Sequence, residues 1–169
     1  MNSYADIFQP PLPESSSHTS RWSNLPGLAT SLAISAAARE AQGPLLVVTE
    51  DNEQAEQLRR ELGFFCPPEE LSVLTFPDWE TLPYDNFSAH QDITSDRLNT
   101  LYQLPKLTSG ILVVSFPSLM HRLPPRHYIE SNSLILKAGQ QLDLESMRKN
   151  LLKGGYQVVD SVYEHGEFT

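Results

Sequence analysis

Three short apolar runs, Leu45–Thr49, Leu71–Phe76 and Ile111–Phe116, constrain the fold of this chain more than any other feature. Leu45–Thr49 is a nearly continuous apolar stretch, which marks a strand covered on both faces in a parallel sheet; Ile111–Phe116 is equally apolar, and Leu71–Phe76, with Ser72 and Thr75 in it, reads as a further strand. Parallel neighbours cannot be joined by a tight hairpin and need a crossover, so the segments between the runs should be helices. Between the first two runs, Asp51 occupies an N-cap position with Gln54 three residues on. Ala55, Leu58 and Leu62 follow at helical spacing before Gly63, which is expected to stop the helix. Between the second and third runs, Ile93, Arg97, Leu98, Leu101 and Leu104 describe one helical face. Ahead of them all, Leu28 to Ala41 is rich in Ala, Leu and Ile with no Pro or internal Gly. It predicts a buried helix ended by Gly43 and Pro44. This rhythm predicts an α/β domain over residues 25–125: a right-handed βαβ, parallel-sheet arrangement with helices on both faces, the architecture of P-loop-like nucleotide-binding folds.

The flanks read differently. Residues 1–24 carry Pro10, Pro11, Pro13 and the serines Ser15, Ser16 and Ser17 where periodicity would be, so a mobile arm is expected, with order beginning near Trp22 to Leu25. After Pro124 and Pro125 a small α+β unit is expected over 126–169. It comprises a strand Ser133–Lys137, a helix from Asp143 or Leu144 to Lys153 closed by Gly154 and Gly155, and a strand Tyr156–Tyr163. That unit is short for an independent core, and the stretch from Val158 to Phe168 reads as a strand in need of a neighbour. It is expected to fray or to associate with a second copy, giving a dimer at high concentration.

Composition bounds the function. No apolar run approaches the roughly 18 to 20 residues of a membrane span, and Met1 to Ser20 lacks the basic start and apolar core of a signal peptide. Cys66 is the single cysteine, with neither a disulfide partner nor a CxxC companion. A reducing, cytoplasmic setting is expected. The formal net charge of -9, from 12 Lys and Arg against 21 Asp and Glu, opposes phosphate binding, so duplex DNA should bind weakly. Arg122, Arg126 and Lys137 are the candidates for a local basic patch and read as scattered solvated charges.

A P-loop wraps phosphates with glycine backbone N–H groups, reaches them with a lysine and holds magnesium with a hydroxyl. The corresponding stretch here is Gly27-Leu28-Ala29-Thr30-Ser31-Leu32-Ala33-Ile34. Gly27 matches the first glycine, but Leu32 stands at the second, Ala33 at the lysine and Ile34 at the hydroxyl. Close approach, charge and metal ligation are lost together, and no cofactor is expected.

The segment after the second strand contains Asp78, Glu80, Asp85 and Asp92, which read as helix caps and dipole partners rather than as paired catalytic carboxylates. Asp92 or Ser95 suits the cap of the following helix. Trp79, Tyr84 and Phe87, between Pro77 and Pro83, are expected to dock this loop onto the sheet, with a partner-binding surface as the second reading. His18, His90, His121, His127 and His165 show no metal-ligand spacing, and nothing in the sequence activates Cys66 as a nucleophile.

The continuous stretch from Phe76 to Ile93, followed by Ser95, Arg97, Leu98, Leu101 and Leu104-Pro105, resembles the signature of bacterial transcription-repair coupling factors. The resemblance runs on through Val113, Val114, Leu119, Met120, Arg122, Gly139, Leu142 and Gly155-Tyr156 to Glu164-His165-Gly166-Glu167-Phe168, nearly everything after residue 24. It implies a region similar to the first domain and part of the second domain of UvrB, with a degenerate nucleotide loop. Trp79, Glu80, Tyr84, Asp85, Asp92 and Arg97 then become signature residues with a structural or interaction role. The resemblance further implies a non-catalytic scaffold that recruits UvrA, with the UvrA-contacting residues falling beyond Phe168. ATP, magnesium, DNA and RNA polymerase would be engaged by the motor and other parts of a whole DNA translocase. Two alternatives stay open: a UvrB-type module that binds damaged DNA, and a nucleotide hydrolase with an unconventional loop.

Overall fold

Strands β1 (Leu45–Thr49), β2 (Val73–Phe76) and β3 (Ile111–Ser115) form a parallel sheet in the order β1-β3-β2. The structure, a computed structural model, describes every residue except 1–4, 14, 16, 83, 85, 134, 135, 137 and 165. It divides into two compact units, Met1–Leu123 and Pro124–Thr169.

In the first unit, helices α2 (Ala29–Glu40) and α3 (Asn52–Phe65) bury one face of the sheet. Ile34 and Ala38 of α2 and Leu58 and Leu62 of α3 cluster with Ile111 and Val113 of β3, and Leu45, Val47 and Val73 pack at the margin. Alternation along a strand puts Leu46, Val48, Leu74, Phe76, Leu112 and Val114 on the other face. There α4 (Gln91–Gln103) covers the β2 side, because its Arg97 lies over the Phe76 ring and its Thr100 hydroxyl donates to the Thr75 carbonyl at 2.7 Å. The expectation of strands covered on both faces fails for β1, whose Leu46 and Val48 are 57% and 45% exposed. β1 lies at the sheet edge, and its second face is left largely open to solvent.

Helix α3 begins as expected, with the Asp51 carboxylate accepting from the Gln54 amide at 2.8 Å. It does not stop at Gly63. It runs on to Phe65, with the Cys66 amide still donating to the Leu62 carbonyl, and ends only where Pro67 and Pro68 remove the donors that would continue it. The two helices are tied by the Ser31 hydroxyl donating to the Glu61 carboxylate and by Arg39 Nη2 donating to the Phe65 carbonyl at 2.6 Å. Two other boundaries shift. Ser115 caps α5 (Phe116–Leu119), with Pro117 in its first turn, so Phe116 leaves the strand; and His90, rather than Asp92 or Ser95, caps α4. Asp92 instead lies in the first turn of α4, where its charge favours the positive end of the helix dipole. On that helix Leu98 is exposed, and the buried positions are Arg97 and Thr100.

Within residues 5–24 the chain forms a helical turn, α1 (Ala5–Phe8). Pro10 is buried, and the Trp22 indole donates to the Pro11 carbonyl at 3.2 Å while its ring packs against the core cluster.

Cys66 is 2% exposed, and burial pushes its thiol above the usual range. Thiolate is the reactive form, so iodoacetamide should leave Cys66 unmodified in native buffer and alkylate it fully in urea, as read by intact mass. Rapid native labelling would contradict this packing.

The second unit contains α6 (Arg126–Asn132), α7 (Leu144–Lys153), β4 (Gln157–Val158) and β5 (Glu167–Phe168). The helix at 126–132 is not evident in the sequence. The strand expected over 133–137 falls largely on residues outside those described. α7 matches expectation: Asp143 caps it, and Gly155, at φ +88°, closes it while the Tyr156 amide donates to the Leu151 carbonyl. The single strand expected from Val158 to Phe168 is replaced by two short strands that pair in parallel with each other. The reason is a turn in which the Glu167 carboxylate accepts from the Tyr163 and Glu164 amides, at 2.9 and 3.0 Å. Those bonds hold the Glu167 carboxyl below its usual range.

Candidate functional site

In parallel α/β sheets, ligand sites gather at the carboxyl ends of the strands. Here those ends are tied together by Asp78, two residues after β2. Its Oδ2 accepts from Asn52 Nδ2 at 2.9 Å, at the start of the helix that follows β1. Its Oδ1 accepts from the Ser118 hydroxyl at 3.3 Å, in the helix that follows β3. The Ser118 and Ser115 hydroxyls are 3.0 Å apart, both buried, and His121 Nε2 lies 3.8 Å from Asp78 Oδ1. One carboxylate thus links all three strand ends.

Beside it lies Arg97, 2% exposed. Its guanidinium is sandwiched between the rings of Phe76, at 3.9 Å, and Trp79, at 4.1 Å, and it donates to the Pro77 carbonyl. A guanidinium can be buried this way because its flat, weakly hydrated faces stack on aromatic rings while its edge donates. Burial pushes its pKa down and the charge of Asp78 opposes that shift; an arginine stays protonated regardless. Arg97 therefore fixes the root of the loop that begins at Pro77.

A cleft of about 470 Å³ opens here, lined by Asn52, Glu56, Arg59, Asp78, Glu80, Asp96 and Ser115 among others. Arg59 is paired with Glu56 at 2.6 Å, an interaction that lowers the Glu56 carboxyl and raises the arginine. The remaining charged groups of that lining are carboxylates.

No protein-family profile matches the chain. Individual relatives do. It is 40% identical over 144 residues to the transcription-repair-coupling factor of Escherichia coli K12, covering 85% of this chain and 12% of that protein. It is 41% identical over 163 residues to the factor of Haemophilus influenzae, covering 96% of this chain and 14% of that protein. The factor of Bacillus subtilis is 26% identical over 145 residues, 86% of this chain and 12% of the relative. The chain belongs to the transcription-repair-coupling factor family. It spans about one-eighth of the length of these relatives, as the 12% and 14% coverages show.

The family-signature residues fall into two groups. Arg97 and Trp79 are packed together, and Asp92 sits in the first turn of α4. Glu80 and Tyr84 are exposed, with φ of +55° and +80°. Asp85, like Pro83, lies outside the described residues. The expectation that Trp79, Tyr84 and Phe87 together dock the loop holds for Trp79 alone: Tyr84 is fully exposed and Phe87 is 82% exposed. Both side chains face solvent, although the loop is anchored at its root. The degenerate loop residues lie elsewhere. Gly27 makes the turn into α2, and Ala33 and Ile34 point into the core, 1% and 9% exposed. Of the basic-patch candidates, Arg126 pairs with Glu130 at 2.7 Å and Lys137 lies outside the described residues. Among the described residues no group of three or more His, Cys, Asp or Glu is arranged to hold a metal, and no helix is long and apolar enough to cross a membrane. Ser115, Ser118 and Asn52 were missed by sequence reasoning. The one signal that could have found them is their position at the end of a strand or within three residues after it, where a short polar side chain can reach a neighbouring strand end.

Proposed function

We propose that this chain is a UvrB-like, non-catalytic interaction module of a cytoplasmic transcription-repair coupling factor, a scaffold from which UvrA is recruited. In the whole protein, ATP-driven translocation, DNA and RNA polymerase would be handled by other regions. Family membership supplies the setting, and the observation that carries the reading is the chemistry of the strand-end cleft. A nucleotide phosphate would meet Asp78, Glu80 and Asp96 there, with the nearby Arg59 already paired to Glu56. The side chains of Leu32, Ala33 and Ile34 offer neither a donor nor a metal ligand, and a longer basic side chain at Ala33 would have to enter the core. These residues do not fit a magnesium–nucleotide complex.

Calorimetric titration of the chain with Mg-ATP should therefore give no binding heat, and micromolar affinity would overturn the non-catalytic reading. The scaffold reading is tested separately by pull-down of purified UvrA, using this chain beside a longer version that continues past Thr169. Retention by the longer version is expected, and failure of both removes UvrA from the proposal. The damaged-DNA alternative predicts a mobility shift at physiological salt, which the net charge of -9 opposes.

A further inference from the structure

The loop after β2 turns its largest apolar side chains outward. Leu82, Tyr84 and Phe87 are 74%, 104% and 82% exposed, whereas Trp79, at the loop root, is packed on Arg97. Single exposed hydrophobics are ordinary; three within six residues of sequence, two of them aromatic, are a local concentration of the residue types that interfaces favour. The root is rigidly held by the Arg97 sandwich and by the bonds from Asn52 and Ser118 to Asp78, so the tip is presented from a fixed base. The charges along its sequence have one sign. From Asp78 to Asp96 the sequence carries five carboxylates, Asp78, Glu80, Asp85, Asp92 and Asp96, and no Lys or Arg. In the adjoining cleft the carboxylates Glu56, Asp78, Glu80 and Asp96 outnumber the one cation of the lining, Arg59.

We propose that the Asp78–Asp92 loop and this cleft form a docking surface for a protein segment in which Arg or Lys side chains flank apolar ones. Tyr84 and Phe87 supply rigid aromatic anchors that lose little rotamer freedom on binding. The carboxylates steer and orient a basic partner and repel nucleic acid. This surface is independent of whether UvrA binds the chain.

The test is selection of a random short-peptide library displayed on phage against the 169-residue chain, followed by anisotropy measurements on the selected peptides. Expected consensus sequences combine Arg or Lys with Leu, Phe or Trp. Their affinity should fall about ten-fold or more in the Tyr84→Ala/Phe87→Ala double variant and weaken with Glu80→Lys and with added salt. Both aromatic side chains face solvent, so the double variant should keep the parent urea midpoint, which separates lost docking from lost folding. A consensus without basic residues, no selected binder, or affinity unchanged in the double variant overturns the proposal. So does duplex-DNA binding, or dimerisation by light scattering, that the same double variant abolishes, since each would assign the loop to a different occupant.

Discussion

Replacing Gly110 by alanine is expected to destabilise the chain by about 3 kcal/mol or more, from backbone strain and a steric clash acting together. Gly110 has φ of +138°, a conformation that side chains rarely adopt, and an added Cβ would lie 2.6 Å from the Ser72 carbonyl oxygen and 3.2 Å from Leu107 Cδ1. The leucine end can give way, but the carbonyl cannot. Ser72 O accepts from the Ile111 amide at 2.8 Å, and Gly110 O accepts from the Leu45 amide at 2.8 Å. Gly110 thus stands where the central strand β3 begins its pairing with both neighbours. Relieving the clash means breaking one of those bonds beside the fully buried Ile111. The matched control is Gly63→Ala: Gly63 lies inside α3 with open space where its Cβ would go, and the helix gains about 0.5–1 kcal/mol from alanine. Urea midpoints that move in opposite directions for these two variants are the expected result. A Gly110→Ala midpoint within error of the parent would show that the β2–β3 entry is not tight.

The contrast between those glycines also shows where sequence reading reaches. The three apolar runs give the strands, because a strand buried among others needs little beyond continuous apolar side chains, and Asp51 gives a helix start because a cap is a local bond. Gly63 misleads: a glycine can end a helix or sit inside one, and here the proline pair at 67 and 68 ends it. The exposure of Leu46 and Val48 was not legible, since strand order decides which strand is the edge, and a β1-β3-β2 order is a property of long-range pairing. At the site, Arg97 was visible as a signature residue on a helical face. Its burial depends on Phe76 and Trp79, some twenty residues earlier, closing on it from both sides. The outward turn of Tyr84 and Phe87 reverses a sound local expectation. Aromatics between prolines usually pack, but here Trp79 takes the place against Arg97, and Tyr84 and Phe87, further along the loop, are left exposed.

That filled root is the basis of the second large effect. Arg97→Ala should cost about 3–4 kcal/mol, because it removes a desolvated charge stacked on two rings, leaves the Pro77 carbonyl without its donor, and opens a void between Phe76 and Trp79. Two further substitutions separate the contributions. Arg97→Met keeps much of the volume and loses the charge and the donor. Arg97→Lys keeps the charge, but a compact, strongly hydrated ammonium cannot stack on both rings or donate from a flat edge, so it should recover only part of the loss. Expected stability therefore runs parent, then Lys and Met, then Ala. A local probe distinguishes loss of this clamp from general weakening: the chain has two tryptophans, and Trp22→Phe leaves Trp79 as the only one. In that background Arg97→Ala should shift Trp79 emission to longer wavelength in the native state, before any unfolding, as the indole loses its cover. The same variant should also weaken any peptide held by the Asp78–Asp92 loop, because the tip would no longer be carried on a fixed base. Unshifted emission together with a parent-like urea midpoint would mean that Arg97 is a bystander and that Asp78, through Asn52 and Ser118, holds the loop without it.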